Sequence, residues 1–257
     1  MARLTTVTFD LWETLILDSP EAGRPRSELR LASAVEILRH EGFPVTLGDV
    51  QEGYRRCEAA CKEVRDAGRD LSFDEQIDIF LRCVDETLPK RISAPGRLEL
   101  AQRYADCYLR YPPKIDPHAQ IVLRSVRDMG FKLGMICNTG ATPGFTQRVF
   151  LEQAGLANYF QTLTFSDEER AAKPSARIFQ STLERLGAQP SEAVHIGDHP
   201  RNDVLGAKQA GLRTIWLRRD SKLALDAAAD ATIASLMEVL VVIPRLANEG
   251  RETARLP

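Results

Sequence analysis

From residue 118 onward, short apolar runs alternate with helical segments, and glycine punctuates them. Helices are predicted over 118–129, 144–154, 176–186 and 202–210, closed in turn by Gly130, Gly155, Gly187 and Gly211. Apolar strands are predicted at 132–137, 161–165, 193–196 and 213–217. Strands that alternate with helices of this length build βαβ units, and these close into a parallel sheet. A first strand is predicted at 5–11, and a short segment at 231–233 with a helix at 236–240 ends the pattern. The polar stretch 248–257 is expected to fray.

The first strand is cut off from the others by a helical region. Asp18-Ser19-Pro20 and the stretch from Gly23 to Pro25 break the pattern after the strand. Helical periodicity then marks 27–39, 50–64, 73–88 and 98–111, with Ser72 or Asp74 as the cap of the third helix. Helices joined by short connections form a small antiparallel bundle. Tyr111-Pro112-Pro113-Lys114-Ile115-Asp116-Pro117 is too rich in proline to continue a helix and reads as a hinge or linker. The expected organisation is an α/β core from 1–17 and 113–257, interrupted by a helical region at 18–112.

A chain of 257 residues can bury a core without disulfide or metal staples. Its formal charge of -2 argues against a dedicated nucleic-acid binder. No run approaches the roughly 18 consecutive apolar residues of a membrane span. Met1-Ala2-Arg3-Leu4-Thr5 lacks the apolar stretch of a signal peptide. Five cysteines, an odd number without small-scaffold spacing, fit reduced thiols in a cytoplasmic protein. Cys57 and Cys61 share a helical face, and Cys83 and Cys107 would complete a zinc set. Structural zinc ligands come in tighter pairs, so buried thiols are the expectation.

In open parallel sheets, ligands bind beyond the carboxyl ends of the strands. Polar residues gather there. Asp10 ends the first strand, Cys137-Asn138-Thr139 the second, Lys173 follows the third, and Gly197-Asp198 ends the fourth, with Asp203 opening the next helix. Scattered polar residues would not choose the same end four times. Asp10 and Asp198 offer hard oxygen ligands that suit Mg²⁺. A lysine and small donors neutralise phosphate oxygens, and a carboxylate can attack phosphorus, splitting a hydrolysis into two steps. Each has a bland counterpart: a surface aspartate for Asp10, a helix cap for Asp203, a solvated loop lysine for Lys173, and a buried thiol for Cys137. His195, between Val194 and Ile196, reads as a core histidine, and His199, directly after Asp198, either as a residue that touches the site or as one behind it or exposed.

Taken in order, Phe9-Asp10-Leu11-Trp12-Glu13-Thr14-Leu15, Ile136-Cys137-Asn138-Thr139, Lys173-Pro174 and Gly197-Asp198-His199-Pro200-Arg201-Asn202-Asp203 with Gly206-Ala207 resemble the haloacid dehalogenase superfamily of hydrolases. The resemblance covers essentially the whole chain. It implies a Rossmann-like core with a helical cap as the insertion. It implies Asp10 as nucleophile and Mg²⁺ ligand, the backbone carbonyl of Trp12 and Asp198 as further ligands, and Asp203 as a support for the metal or for Lys173. Lys173 would stabilise charge on Asp10 and on the transferred group. Asn138 and its neighbours Cys137 and Thr139 would hold substrate oxygens, with Trp12 between core and cap.

Two positions depart from the family pattern. Its phosphatases carry Asp two residues after the nucleophile, as acid and base, where this chain has Trp12; its dehalogenases carry an aromatic Tyr. Cys137 replaces a Ser or Thr and is a poorer donor. Glu13 stands where Gly is common, and as a strand residue it would point to the opposite face. The primary expectation is a Mg²⁺-dependent phosphatase acting on a small phosphorylated metabolite. The alternatives are a 2-haloacid dehalogenase with a halogenated substrate, and a weakly active or non-catalytic ligand-binding relative. No nucleic-acid or membrane partner is expected. Arg24, Arg26, Arg55 and Arg56 are the cap arginines available to set specificity.

Overall fold

Strand β1 (Thr6–Phe9) is buried at every residue, so it needs strands on both edges and helices on both faces. It has them in a computed structural model that describes residues 3–219 and 229–252. The sheet runs β5 (Thr162–Phe165), β4 (Lys132–Cys137), β1, β6 (Ala193–Gly197), β7 (Arg213–Leu217), β8 (Ala231–Ile233), and all neighbours are parallel. Register pairs Thr8 with Gly134 on one side and with His195 on the other.

Alternation along the strands assigns each residue to a face. Val7, Phe9, Leu133, Met135, Val194 and Ile196 join one apolar cluster with helices α6 (Ala119–Asp128) and α11 (Val239–Glu252). Ile136 and Ala193 join another with α9 (Ala176–Leu186) and α10 (Gly206–Gln209). Thr8 and His195 share this second face; the His195 ring meets Phe179 edge-on at 5.1 Å and accepts or donates at Nδ1 to Thr8 Oγ1, 2.9 Å away. Two further helices, α7 (Gly144–Gln153) and the short α8 (Ser166–Glu169), follow β4 and β5.

Between two short strands, β2 (Ile16–Leu17) and β3 (Lys114–Ile115), lie α1 (Pro20–His40), α2 (Leu47–Asp66), α3 (Phe73–Val84), α4 (Leu88–Arg91) and α5 (Ala94–Arg110). They carry their own apolar cluster, including Leu38, Val50, Cys57, Cys61, Phe80, Leu81 and Tyr104. Capping boxes fix two starts: Thr46 with Asp49 for α2, and Ser72 with Glu75 for α3.

Four details differ from the sequence reading. Helix α1 begins at Pro20 rather than 27, because proline at the first helical position gives up an N–H that had no partner there, and the helix tolerates Pro25 in its second turn. The proline-rich stretch is no free linker: Ile16 and Leu17 pair antiparallel with Ile115 and Lys114, tying both ends of the insertion together. The predicted helix at 73–88 breaks at Asp85, which is extended. The chain beyond 248 continues helical to Glu252, while 253–257 fall outside the described residues. The cysteines are all free thiols, and Cys57 and Cys61 are buried. Among the described residues, no helix is long and apolar enough to cross a membrane.

A close backbone contact lies just after β6. Pro200–Leu205 forms a wide helical turn that runs into α10 at Gly206, and a Cβ there would sit 2.7 Å from the Cα of Pro174. Backbone cannot move aside as a flexible side chain can. Gly206→Ala is therefore expected to destabilise the fold by about 1–3 kcal/mol. Gly48→Ala on α2, whose nearest neighbour would be Thr46 Oγ1 at 3.6 Å, is the control and should lower stability little or not at all. Urea unfolding of both variants checks the contrast.

Candidate active site

Four adjacent strands, β5, β4, β1 and β6, deliver their carboxyl ends side by side, and the polar residues meet there. Asp10 follows β1 directly, its N–H donating to the Ile196 carbonyl at 2.8 Å. Lys173 comes from the segment after β5. Its Nζ donates to Asp10 Oδ1 at 2.5 Å and to Asp203 Oδ1 at 2.6 Å. Asp10, Lys173 and Asp203 are 6%, 3% and 2% exposed, so this is a buried three-residue ion network. Lys173 is not the solvated loop lysine of the bland reading.

Each member is held from behind. Asp10 Oδ2 accepts from Thr14 Oγ1 at 3.3 Å. Asp203 Oδ1 also meets His195 Nε2 at 3.2 Å, and its Oδ2 accepts from the His199 N–H at 2.9 Å. Gly197 makes room: a Cβ on it would lie 2.3 Å from Asp203 Cγ. It serves as the floor under Asp203. Asn138 grips Lys173 by the backbone, its Nδ2 donating to the Lys173 carbonyl at 3.0 Å and its Oδ1 accepting from the Lys173 N–H at 2.9 Å. Its amide is thus committed to placing Lys173.

The other residues singled out from sequence fall into distinct places. Asp198 joins Asp10 and Asp203, with one carboxylate oxygen of each within 4.8 Å of the others. Among the described residues no side chain donates to the Asp198 carboxylate. Cys137 is fully buried, and its thiol donates to Gln147 Oε1 at 3.3 Å, away from any open surface. Thr139 is buried too; its N–H donates to Ser166 Oγ at 2.9 Å, and Ser166 donates to Asp70 Oδ2 at 2.5 Å. Trp12 stands at the junction of the sheet and the helical insertion, edge-on to Tyr108 at 5.8 Å, with Arg26 over both rings. His199 caps the turn that carries Asp203: its Nδ1 accepts from the N–H groups of Arg201 and Asn202. Glu13 is not a strand residue. Its φ of 54° is the left-handed region, and its Oε1 accepts from the Asp18 N–H.

Beside this cluster a cavity of about 480 Å³ opens between sheet and insertion, bordered by Trp12, Asn138 and Thr139 below and by Arg26, Arg30 and Tyr54 above. Of the arginines picked from sequence, Arg26 reaches it, pinned by both Asp18 carboxylate oxygens at 3.0 and 3.2 Å. Arg55 pairs with Glu52 at the surface, and Arg56 donates to the Cys83 carbonyl. Thr14, His195, Ser166, Asp70 and Arg30 were not foreseen in these roles. A signal existed for Arg30: Arg26, Arg30, Ala34 and Leu38 recur every four residues, all buried, so two arginines occupy an otherwise apolar stripe.

Electrostatics follow from burial and charge count. Burial raises the Asp10 carboxyl to about 6 against the pull of Lys173. Asp198 is pushed up to about 8 by burial and then by the charges of Asp10 and Asp203. Burial would also raise Asp203, but Lys173 and His195 hold it well below the usual range. Lys173 is held above its ordinary value because its two carboxylates outweigh its burial. His195 is lowered by burial. Three carboxylates face one ammonium, and the unsatisfied one is Asp198. A hard, oxygen-liganded divalent cation such as Mg²⁺ fits that donor set, with Asp10 and Asp198 to hold it.

The sequence model for haloacid dehalogenase-like hydrolase matches residues 4–211. The chain is 28% identical over 257 residues to the glyceraldehyde 3-phosphate phosphatase of Pyrococcus furiosus, with 98% of each chain covered. It is 30% identical over 215 residues to the ribulose-1,5-bisphosphate 5-phosphatase of Halopiger xanaduensis, covering 82% of this chain and 83% of the other. Among solved structures, the 2-haloacid dehalogenase from Pseudomonas syringae pv. Tomato DC3000 superposes with a TM-score of 0.71 at 25% identity, covering 95% of this chain and 99% of that one.

The raised Asp198 carboxyl makes metal-free stability depend on pH. Between its unfolded value near 4 and its folded value of about 8, the folded state holds a proton that the unfolded state has lost, so stability falls as pH rises. His195 works in the opposite direction only below its ordinary 6.5, so the window from 6.5 to 8 isolates the carboxyl. In EDTA the melting temperature should drop across that window. Asp198→Asn should flatten the drop and raise the pH 8 value by at least ~2 °C. Scanning fluorimetry reads both, and an unchanged slope in the variant would place the titration elsewhere.

Proposed function

The chain belongs to the haloacid dehalogenase-like hydrolases, and from that membership we propose a Mg²⁺-dependent phosphatase of small phosphorylated metabolites. The carrying observation is the Asp10–Lys173–Asp203 network with the acidic surplus at Asp198 beside it. The two relatives named as phosphatases support the same reading. The helical insertion, 18–112, acts as the cap over the site, and the free thiols suit a cytoplasmic enzyme.

Asp10 is the nucleophile. Lys173 neutralises Oδ1, which leaves Oδ2, held only by the longer Thr14 bond, to form the bond to phosphorus. The bond from phosphorus to the leaving oxygen breaks as that bond forms, giving an aspartyl-phosphate. Water then attacks its phosphorus, and phosphate departs with Asp10 restored. Asp10, Asp198 and the carbonyl of Trp12 would hold Mg²⁺, with Asp203 behind them. When bound, the ion offsets charge on the transferred group. Lys173 stays protonated throughout, since two carboxylates hold its pKa up, so its part is electrostatic. Asn138 keeps Lys173 in place, and the Thr139 segment borders the substrate. Fully buried Cys137 shapes that segment from beneath.

The leaving group is the weak point. The indole N–H of Trp12 is far too weak an acid to protonate a leaving group, and general acid help is worth about 10²–10⁴ in rate. A second reading, a 2-haloacid dehalogenase in which Asp10 attacks carbon, is favoured by Trp12 and by the likeness to the Pseudomonas syringae enzyme. Such a reaction makes no use of the acidic surplus at Asp198, which is why it ranks second.

Acyl and aryl phosphates, whose leaving groups need little protonation, should be hydrolysed faster than alkyl phosphates by about 10²-fold or more. Phosphate release should vanish with EDTA and with Asp10→Asn. Halide release from 2-chloropropionate that persists in EDTA, without phosphate release, would reverse the ranking. Asn138→Ala should cut kcat on p-nitrophenyl phosphate by about 10-fold or more, with a smaller change in KM, because it frees the Lys173 backbone. Steady-state kinetics of the two variants decide this.

A further inference from the structure

Arg30 is a buried cation without a counter-charge. It is 4% exposed, and among the described residues no carboxylate lies within ion-pair distance of it. Its neighbours are neutral: Nε donates to the Tyr104 carbonyl at 3.2 Å, Nη1 donates to the Tyr54 hydroxyl at 3.3 Å, and the guanidinium stacks 4.6 Å over the Tyr104 ring. These contacts join α1 to α2 and α5. Its Nη2 takes no part in them: that atom is buried without any hydrogen-bond partner. Buried charges in folded proteins are paired or serve a site.

Three other buried side-chain atoms among the described residues lack a partner. Ser19 Oγ and Tyr108 OH are neutral, and Arg65 Nη1 lies 3.6 Å from the Asp70 carboxylate. Arg30 alone among them is charged and unanswered. It also lines the cavity bordered by Trp12 and Asn138. The other charges on that cavity are Asp18, which is spent on Arg26, and Glu58, an exposed carboxylate beside the Tyr54 hydroxyl that stays outside ion-pair distance of Arg30.

We infer that Arg30 anchors a second oxyanion of the substrate, a carboxylate or second phosphate carried on the leaving-group side, while the scissile phosphate lies at Asp10. This inference rests on the phosphatase reading and gives its substrate class: small doubly acidic metabolites that present one phosphate to the sheet and another acidic group to the cap. Arg26 does not take this part, because Asp18 already answers it. A guanidinium with two N–H groups free at Nη2 offers acceptors that a neutral alcohol does not fill as well.

The test compares matched pairs: glycerol 3-phosphate with 3-phosphoglycerate for the carboxylate, and fructose 6-phosphate with fructose 1,6-bisphosphate for the phosphate, with p-nitrophenyl phosphate as reference. Wild-type enzyme should prefer the doubly acidic member of at least one pair by about 10–100-fold in kcat/KM, mostly through KM. Arg30→Met should collapse that preference, and Arg30→Lys, which keeps the charge, should retain part of it. Should Arg30→Met not fold, wild-type inhibition by tricarballylate against p-nitrophenyl phosphate replaces it, competitive inhibition supporting the carboxylate form. Hydrolysis of p-nitrophenyl phosphate with equal kcat/KM within both pairs would overturn the inference and leave the phosphatase reading standing. So would a folded Arg30→Met enzyme that keeps the preference. No turnover of any phosphate ester would end the phosphatase reading and this inference with it.

Discussion

A single ammonium group organises the site. Lys173 Nζ is buried between Asp10 and Asp203, and neither carboxylate would stay charged at that depth without it. Removing a charge from such a network leaves the others uncompensated, which is far costlier than the network is worth as a whole. The local architecture follows from that penalty. Asn138 clamps the Lys173 backbone, His195 and the His199 N–H hold Asp203, Gly197 yields space to it, and Gly206 lets Pro174 lie against the helix behind. These residues come from the ends of adjacent strands, so the parallel order β4–β1–β6 is itself a condition for the charge arrangement.

Strands were legible where burial leaves no alternative. Thr6–Phe9 and Ala193–Gly197 are buried throughout, and only a central position in a covered sheet accommodates them. Helix starts with capping boxes were legible to within a few residues. The start of α1 was hidden because Pro20 and Pro25 act as breakers in most contexts, and only the tertiary anchor of Arg26 to Asp18 and the Tyr111 carbonyl shows why the chain coils there. Asp10, Lys173, Asp198 and Asp203 were readable as a set because each falls at a strand exit or in the segment that follows it. What they touch was not. His195 reaches Asp203 only because parallel register sets it beside Thr8 and turns it to that face. The resemblance implied a substrate ligand at Asn138, and the partner its amide has in the fold, a backbone 35 residues away, depends on the path of a loop. Glu13 was misread because the chain was taken as strand to residue 11 and beyond, whereas it turns left-handed there.

The junction of sheet and insertion is continuous with the site. Asp70, between α2 and α3, accepts from Ser166, which in turn accepts from the Thr139 N–H. Gly68 accepts from Ala172 two residues past Arg170, and Ala172 immediately precedes Lys173. The same short segment that delivers the lysine is therefore laced to the helical layer. Any movement of that layer away from the sheet must break these bonds at the edge of the charge network. Rearrangement of the insertion and adjustment of Lys173 are mechanically linked.

Trp12 shows how one substitution redistributes work between the layers. An acid at that position would serve a leaving group; the indole instead fills the junction, packing on Tyr108 and under Arg26. Arg26, held by Asp18 and the Tyr111 carbonyl, is thereby made part of the wall rather than a ligand. One turn further along α1, Arg30 has no such carboxylate, and its guanidinium is stabilised only by aromatic faces and neutral acceptors. Two arginines four residues apart on one stripe thus have opposite states, one neutralised inside the protein and one charged toward the cavity. The difference lies in Asp18, which the turn after β2 brings to the first and not to the second. On the proposed reading, the missing acid at Trp12 and the open charge at Arg30 point the same way: such a site would depend less on acid catalysis and more on holding a substrate at both ends.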